Sequence, residues 1–163
     1  MRAKRTITRI ALLSLLAWML AACSLPHAVR EGSSHRAGTD PHSYANTGDF
    51  VTSHLVLDLD VDFDQRQLSG TVELQLKRLN PHATELVLDT RELSIRDVWY
   101  QAADGSWQAT AFALDAPDAI LGRALRIQLA ADSDAVRIAY RTAPTASGLQ
   151  WLTPEQTAAG QHP

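Results

Sequence analysis

The chain has 163 residues, of which 45% are hydrophobic and 20% charged, and this composition is typical of a globular protein with one domain. Its 18 acidic residues outnumber its 15 basic residues, and the formal net charge is −3. The sequence contains no basic stripe and no basic run interleaved with aromatic residues. These observations indicate that nucleic acid is not a partner of this protein.

The first 23 residues have the pattern of a bacterial export signal. Basic residues precede an apolar run from Ile10 to Leu20, which at about 1.5 Å per residue is too short to span a hydrocarbon core of about 30 Å. The run therefore predicts an export signal rather than a permanent anchor. It ends in Leu20-Ala21-Ala22-Cys23, which resembles a lipobox. We expect residues 1–22 to be a lipoprotein signal peptide and Cys23 to be the lipid attachment site.

The residues that follow the cysteine predict a location and a tether. Ser24 resembles the residue found after the cysteine in lipoproteins sent to the outer membrane, so we expect an exported cell-envelope lipoprotein at that membrane, facing the periplasm. The alternative is an ordinary signal in which Cys23 has no role. Residues 23–43 are polar and contain several glycines and serines, which predicts a flexible tether to a domain at 44–163. The histidines of the tether fit no compact zinc spacing.

A β-hairpin is the clearest prediction in the mature region. Apolar residues occupy every second position of the first strand: Leu55, Leu57, Leu59, Val61 and Phe63. That period is typical of a half-buried strand, and we expect these five side chains to face the core, where their burial would contribute at most about 10 kcal/mol. Residues 64–67 predict a turn, and alternation resumes at 68–77.

Three aspartates, Asp58, Asp60 and Asp62, lie between the apolar positions. Three carboxylates on one face could recruit calcium. However, alternate residues of a strand are about 7 Å apart, too far for one ion to bridge all three. We therefore interpret them as a solvated face, with Lys77 and Arg78 of the partner strand available to pair with some of them.

The remainder of the chain predicts short strands separated by turn signals. We expect an irregularity near Arg96-Asp97, a hairpin turn at Asp104-Gly105 and no long helix. Such spaced strands favour an all-β fold, either an antiparallel β-sandwich or a saddle-shaped sheet. The predicted segments are 86–88, 93–100, a single returning strand at 107–114, a short edge segment at 119–121, 125–129 and 136–140.

The last stretch, 147–163, has no strand or helix period and is punctuated by glycine and proline, which predicts an ordered loop. Leu149, Trp151 and Leu152 are too apolar for a free tail, so we expect this loop to dock on something.

This stretch also carries a family resemblance. Residues 149–157, Leu-Gln-Trp-Leu-Thr-Pro-Glu-Gln-Thr, followed by His162-Pro163, resemble the end of the N-terminal domain of the leukotriene A-4 hydrolase-like zinc aminopeptidases, peptidase family M1. The resemblance extends over about 40–163 and departs at Ala159-Gly160, where the family has Gly-Lys. Further matching segments occur in the same order at 40–45, 61–63, 68–71, 86–90 and 138–140.

The resemblance implies what this chain lacks. The family's zinc site is a His-Glu-x-x-His helix with a later glutamate, its substrate is held partly by a Gly-x-Met-Glu-Asn strand, and neither motif occurs here. The chain therefore resembles the non-catalytic N-terminal domain of a membrane-anchored zinc aminopeptidase, as a truncated gene product or a fragment. We expect no catalytic residue, metal ligand or cofactor in this chain. Zinc and the peptide substrate would belong to the catalytic domain, which would be its partner.

By the same resemblance, the loop would lie on the side of the catalytic domain. Its candidate residues are Gln150, Trp151, Thr153, Glu155 and Gln156. They would line the substrate cleft or pack between domains, and packing is the role we favour.

Three other functions remain open. The chain could be a free-standing lipid-tethered β-sandwich that binds a partner. It could be a peptidase through a constellation that carries no known motif. Finally, Trp99, Trp107 and Trp151 could form a carbohydrate-stacking surface, although tryptophans are more often core or interface anchors.

Overall fold

The computed structural model describes residues 40–157 and residue 160. The predicted signal peptide, Cys23, most of the tether and His162-Pro163 lie outside the described residues. Among the residues that are described, no helix is long and apolar enough to cross a membrane.

Two antiparallel sheets form the domain. The first has five strands in the order β1-β2-β8-β4-β5, and the second has three in the order β3-β7-β6, so the predicted all-β antiparallel fold is confirmed. The strands are β1 (Phe50–Asp62), β2 (Gln67–Arg78), β3 (Glu85–Thr90), β4 (Leu93–Gln101), β5 (Trp107–Ala109), β6 (Phe112–Leu114), β7 (Arg123–Gln128) and β8 (Ala135–Thr142); a 3-10 turn follows at Pro154–Gln156.

The predicted hairpin is formed by β1 and β2, and a bulge divides β1 into two parts. The pairing shifts between Thr52 and His54, so Phe50, before the bulge, and Leu55, after it, lie on the same face of the sheet. Gln65 donates its backbone N–H to Asp62 Oδ1 at 2.8 Å in the connecting turn, where Arg66 has a positive φ of 51°.

The core lies between the two sheets. Because the three-stranded sheet packs over β2, β8 and β4, the inward residues of these strands are buried against Leu125 and Ile127 of β7. Leu125, Ile127 and Val136 are the largest side chains that are fully buried. The inward positions of β8 alternate as the sequence predicts, with Val136 and Ile138 buried.

The free edge of β3 is sealed by the segment that leads into β1. The Asn46 amide donates to Glu85 O at 2.8 Å and accepts from Val87 N–H at 2.8 Å, so one side chain pairs two backbone groups of the edge. Ser43 and Tyr44 donate to the carboxylate of Asp89. Paired edges of this kind do not recruit another strand.

The strand predicted at 107–114 is divided between the two sheets, so this prediction was wrong. β5 pairs with β4 in the first sheet and β6 pairs with β7 in the second. The change of sheet occurs at Thr110, whose N–H donates to Val98 O and whose hydroxyl donates to Gln128 O at 2.6 Å. Period-two alternation does not reveal which sheet each half joins.

The edge segment predicted at 119–121 is a turn instead. Asp118 Oδ1 accepts the N–H groups of Ile120 and Leu121, and Asp118 and Gly122 form an isolated bridge. Gly122 has φ of 78°, a conformation that favours glycine. The irregularity predicted in β4 is confirmed by a register shift between Ile95 and Asp97.

The pairing proposed for Lys77 and Arg78 was also wrong, because they lie opposite Val51 and Phe50 rather than opposite the aspartates. Arg78 instead holds a loop: its guanidinium donates to the carbonyls of Ala83, Ala130 and Ser133, and it lies 4.8 Å from the centroid of Phe50.

Candidate interdomain surface

The loop that follows β8 is fastened to the turn before β4 by one residue. Glu92 accepts the Ala143 N–H at its backbone carbonyl, at 2.9 Å, and the Ser147 N–H at its carboxylate, at 2.5 Å. The hydrogen bond from the Ser147 backbone holds the pKa of the Glu92 carboxyl below its ordinary value. The start of the loop is therefore fixed on the sheet rather than left as a tail.

Trp151 is the residue of the loop that contacts the hairpin. Its ring meets the ring of Phe63 edge-on, with centroids 5.8 Å apart and planes at 85°, a favourable aromatic geometry. Its Nε1 is buried and has no hydrogen-bond partner among the described residues. Buried indole N–H groups are normally paired, so Trp151 is a candidate for a further contact.

The end of the loop is held by its own short turn. Thr153 donates its backbone N–H to Gln156 Oε1 at 3.0 Å, as in a capping box. The Thr153 hydroxyl donates to Glu155 and lowers the pKa of that carboxyl. Of the predicted loop residues, Trp151 is half-buried, whereas Gln150, Thr153, Glu155 and Gln156 are exposed; Leu149 is half-buried and Leu152 exposed. These exposed residues flank Trp151 in the loop.

The apolar row of β1 is not buried, contrary to the sequence prediction. We name Leu55, Leu57, Val61 and Phe63 the β1 row; their exposed fractions are 49%, 53%, 50% and 52%. Leu59, between them, is half-buried. The row lies on the core side of its sheet, because Leu55 pairs with the buried Leu74 and Leu57 pairs with Val72, which packs on the core. The core therefore continues onto a surface that the three-stranded sheet does not cover.

This uncovered row is the feature that sequence reasoning missed. The signal was the mismatch in length between the strands of the two sheets. β1 and β2 have 13 and 12 residues, whereas β3, β6 and β7 have 6, 3 and 6. At about 3.3 Å per residue, the short strands cannot cover both long ones.

No group of three His, Cys, Asp or Glu side chains within the described ranges could hold a metal ion. Asp58, Asp60 and Asp62 are exposed and lie opposite Thr71, Ser69 and Gln67. Arg137 lies 4.1 Å from the centroid of Trp107 and is paired with Glu73 at 2.6 Å. Trp107 therefore contacts Arg137, whereas Trp151 contacts Phe63.

Known proteins are similar to this chain in sequence. Leucine aminopeptidase 2 of Aspergillus oryzae is 35% identical over 130 residues, and leukotriene A-4 hydrolase of Xenopus laevis is 34% identical over 129 residues. Each match covers 76% of this chain and 20% of the relative. No protein-family model matches the chain.

A solved structure agrees with the sequence relatives. Yeast LTA4 hydrolase in complex with bestatin superposes with a TM-score of 0.64 at 33% identity, over 85% of this chain and 22% of that protein. The chain thus spans about a fifth of the length of the relatives that it matches. By sequence and by fold, the chain belongs to the M1 family of leukotriene A-4 hydrolase and leucine aminopeptidase 2, and it corresponds to the N-terminal domain of those proteins.

Proposed function

We propose that this chain acts as the non-catalytic N-terminal domain of a membrane-anchored zinc aminopeptidase. In this role it packs on a catalytic domain and forms one wall of the cleft in which the N-terminal residue of a peptide is released. The observation that carries the proposal is the surface formed by the loop and the β1 row. It combines a fixed loop, a buried and unpartnered Trp151 N–H and apolar side chains on the core side.

The described residues bring no zinc-binding group together. Three protein ligands and an open position for water are required, and the described residues contain no group that could supply them. The aminopeptidase chemistry would therefore be carried out by the partner domain. This chain would contribute shape and packing, with Gln150, Thr153 and Glu155 at the boundary of the cleft.

The membrane anchor is a second part of the proposal and rests on sequence. Cys23, after Leu20-Ala21-Ala22, would carry the lipid, and the polar residues 23–43 would set the domain away from the outer membrane. Each buried CH₂ contributes about 0.8 kcal/mol, so two or three acyl chains hold a protein firmly. Metabolic labelling with an alkyne fatty acid tests this directly. We expect labelled wild-type protein and no label on Cys23→Ser; equal labelling of both would contradict the anchor.

The aminopeptidase assignment is tested on the coding DNA and on the purified chain. We expect a reading frame beyond Pro163, continuous or nearby, that encodes a His-Glu-x-x-His helix. We also expect the 163-residue chain alone to release no N-terminal amino acid from a peptide, with or without added zinc. A downstream region without the zinc motif, or zinc-dependent release by the chain alone, would overturn the assignment.

A further inference from the structure

We propose that the outer face of the five-stranded sheet carries a binding site for a small phosphate-type oxyanion, such as a phosphate monoester, with Arg141 at its centre. The outer face is the face that is turned away from the three-stranded sheet. This inference goes beyond the proposed function, because it concerns a different surface from the loop and the β1 row.

The site is an open groove of about 470 Å³, a volume within the range of small-molecule pockets. We name it the arginine groove, and among the residues that line it are Gln67, Ser69, Ser94, Arg96 and Arg141. Arg141 of β8 pairs with Ser69 of β2 on one side and with Ser94 of β4 on the other. Since Ile138 of β8 is buried in the core, Arg141, three residues further on, points to the outer face.

The first argument is the charge of Arg141. Its guanidinium makes no hydrogen bond or ion pair to another described residue. The other arginines of the described strands each donate to backbone carbonyls or pair with a carboxylate: Arg78, Arg96, Arg123, Arg126 and Arg137. A cleft lined by charge of one sign raises the local concentration of counter-ions, so the uncompensated Arg141 favours an anion in the groove.

The second argument is the bulge in β4, which brings a second guanidinium to the groove. The register shift between Ile95 and Asp97 leaves Arg96 without a paired residue in β8, and bulges of this kind re-aim a side chain. Arg96 pairs with Asp97 through Nε at 2.9 Å, and its other two guanidinium nitrogens make no ion pair within the described residues. Two guanidinium groups beside one groove repel each other, and an anion between them would remove that cost.

The third argument is the arrangement of the donors, which suits a tetrahedral anion. A guanidinium presents a fork of N–H groups that matches two oxygens of a phosphate. The hydroxyls of Ser69 and Ser94, on either side of Arg141, make no hydrogen bond within the described part of the chain and can donate to a third oxygen. A planar carboxylate presents only two oxygens and would leave that donor unused.

Neighbouring carboxylates limit the occupant to one small anion. Asp58, Asp60 and Asp62 of β1 are exposed on the same outer face, opposite residues of β2, and Asp97 adjoins Arg96. A lipid surface would bring several anionic headgroups against these carboxylates, which is unfavourable. A single phosphate over Arg141 avoids them, because Asp60 lies two strands away, at about 10 Å between Cα atoms. The occupant is therefore a free phosphate monoester rather than a membrane.

The test titrates the full 163-residue chain with inorganic phosphate at constant pH and ionic strength, and follows the backbone amide resonances of Ser69 and Ser94 by NMR. We expect saturable shifts in wild type and binding that is about tenfold or more weaker in Arg141→Gln. Lys77→Gln is the matched control, since Lys77 is exposed on the same face, about 26 Å along β2 from Ser69. It should bind phosphate as wild type does, and thermal unfolding of both variants should match that of wild type.

A second variant and two other probes complete the test. Arg96→Gln keeps Arg141 and should bind phosphate more weakly than wild type but more tightly than Arg141→Gln. Absence of shifts in wild type, equal weakening by Lys77→Gln, or acetate that binds as tightly as phosphate would overturn the site. Arg141-dependent binding to phosphatidic acid vesicles, without binding of free phosphate, would overturn the free ligand. None of these results bears on the proposed function, which concerns other surfaces of the domain.

Discussion

The centre of the five-stranded sheet and its β1 edge have the same sequence pattern and opposite environments. In β2 and β8, inward residues such as Leu74 and Val136 are buried beneath the three-stranded sheet. In β1, Leu55 and Leu57 have the same alternation and the same facing, but about half of each side chain is exposed. Alternation therefore specifies which face of a strand is apolar. Burial of that face requires a second layer of structure, which the sequence of the strand itself does not specify.

The largest difference in the free energy of unfolding should appear when one side chain is truncated in the buried core and one in the β1 row. Ile127→Ala removes a fully buried side chain of β7 and is expected to lower the free energy of unfolding by about 2–5 kcal/mol. Leu57→Ala, in the β1 row, is expected to cost less than about 1 kcal/mol, since little contact is lost. Urea denaturation of the two variants measures both. Equal losses would show that the row is packed in the free chain.

A glycine substitution in β2 should test how tightly the two strands of the hairpin pack against each other. Gly70, opposite Leu59, has φ of 150°, and an added Cβ would overlap the Asp58 carbonyl. Gly70→Ala is therefore expected to destabilise the protein by about 1–3 kcal/mol. Gly48→Ala is the control, because nothing lies within 4 Å of its added Cβ. Chemical denaturation compares them, and an effect of Gly70→Ala no larger than that of the control would contradict the tight contact of β1 with β2.

Removal of the Trp151 indole N–H should have opposite effects on the stability of the free chain and on its binding to a partner. Trp151→Phe keeps a ring against Phe63 and removes the buried, unpartnered N–H. Because a buried donor without a partner costs about 1–3 kcal/mol, we expect the free chain to be unchanged or up to about 1 kcal/mol more stable, measured by thermal unfolding. Co-purification with a tagged yeast LTA4 hydrolase polypeptide that lacks the 22% this chain covers should fall. A clear loss of stability in the free chain would show that the N–H is already paired.

The smallest effect concerns pH and the attachment of the loop. The pKa of Glu92 is lowered by the Ser147 N–H, so its hydrogen bond contributes above the ordinary glutamate pKa and is lost as the pH falls through the lowered folded value. We expect carboxyl NMR to show Glu92 titrating below the ordinary glutamate range, and the Ser147 amide resonance to shift with it. Glu92→Gln should abolish that shift at Ser147. A Ser147 amide chemical shift that does not change with pH in wild type would contradict the hydrogen bond between the Ser147 N–H and the Glu92 carboxylate.

Local signals in the sequence were sufficient for much of the fold. Alternation and turn residues predicted the β1–β2 hairpin, β7, β8 and the irregularity at Arg96-Asp97, because each depends on neighbours in the chain. The change of sheet at Thr110 was missed, since it depends on Val98 and Gln128, which are distant in sequence. Composition predicted that the loop with Trp151 would dock, whereas the cleft or interdomain role of Gln150, Thr153, Glu155 and Gln156 came only through the family resemblance.

The uncovered β1 row could have been anticipated from a count of strand lengths but not from alternation. Alternation placed Leu57 on the core side of the sheet, but its 53% exposure depends on how far the three-stranded sheet extends.

The most direct test of the account is hydroxyl-radical labelling of Leu57 and Phe63 in the full chain, alone and with a yeast LTA4 hydrolase polypeptide that lacks the 22% this chain covers. The account predicts strong labelling of both side chains in the chain alone, because each is about half exposed. It predicts selective protection of both, and not of Val56, when the polypeptide is bound. Labelling of Leu57 and Phe63 that is unchanged by binding, or protection already complete in the chain alone, would contradict it.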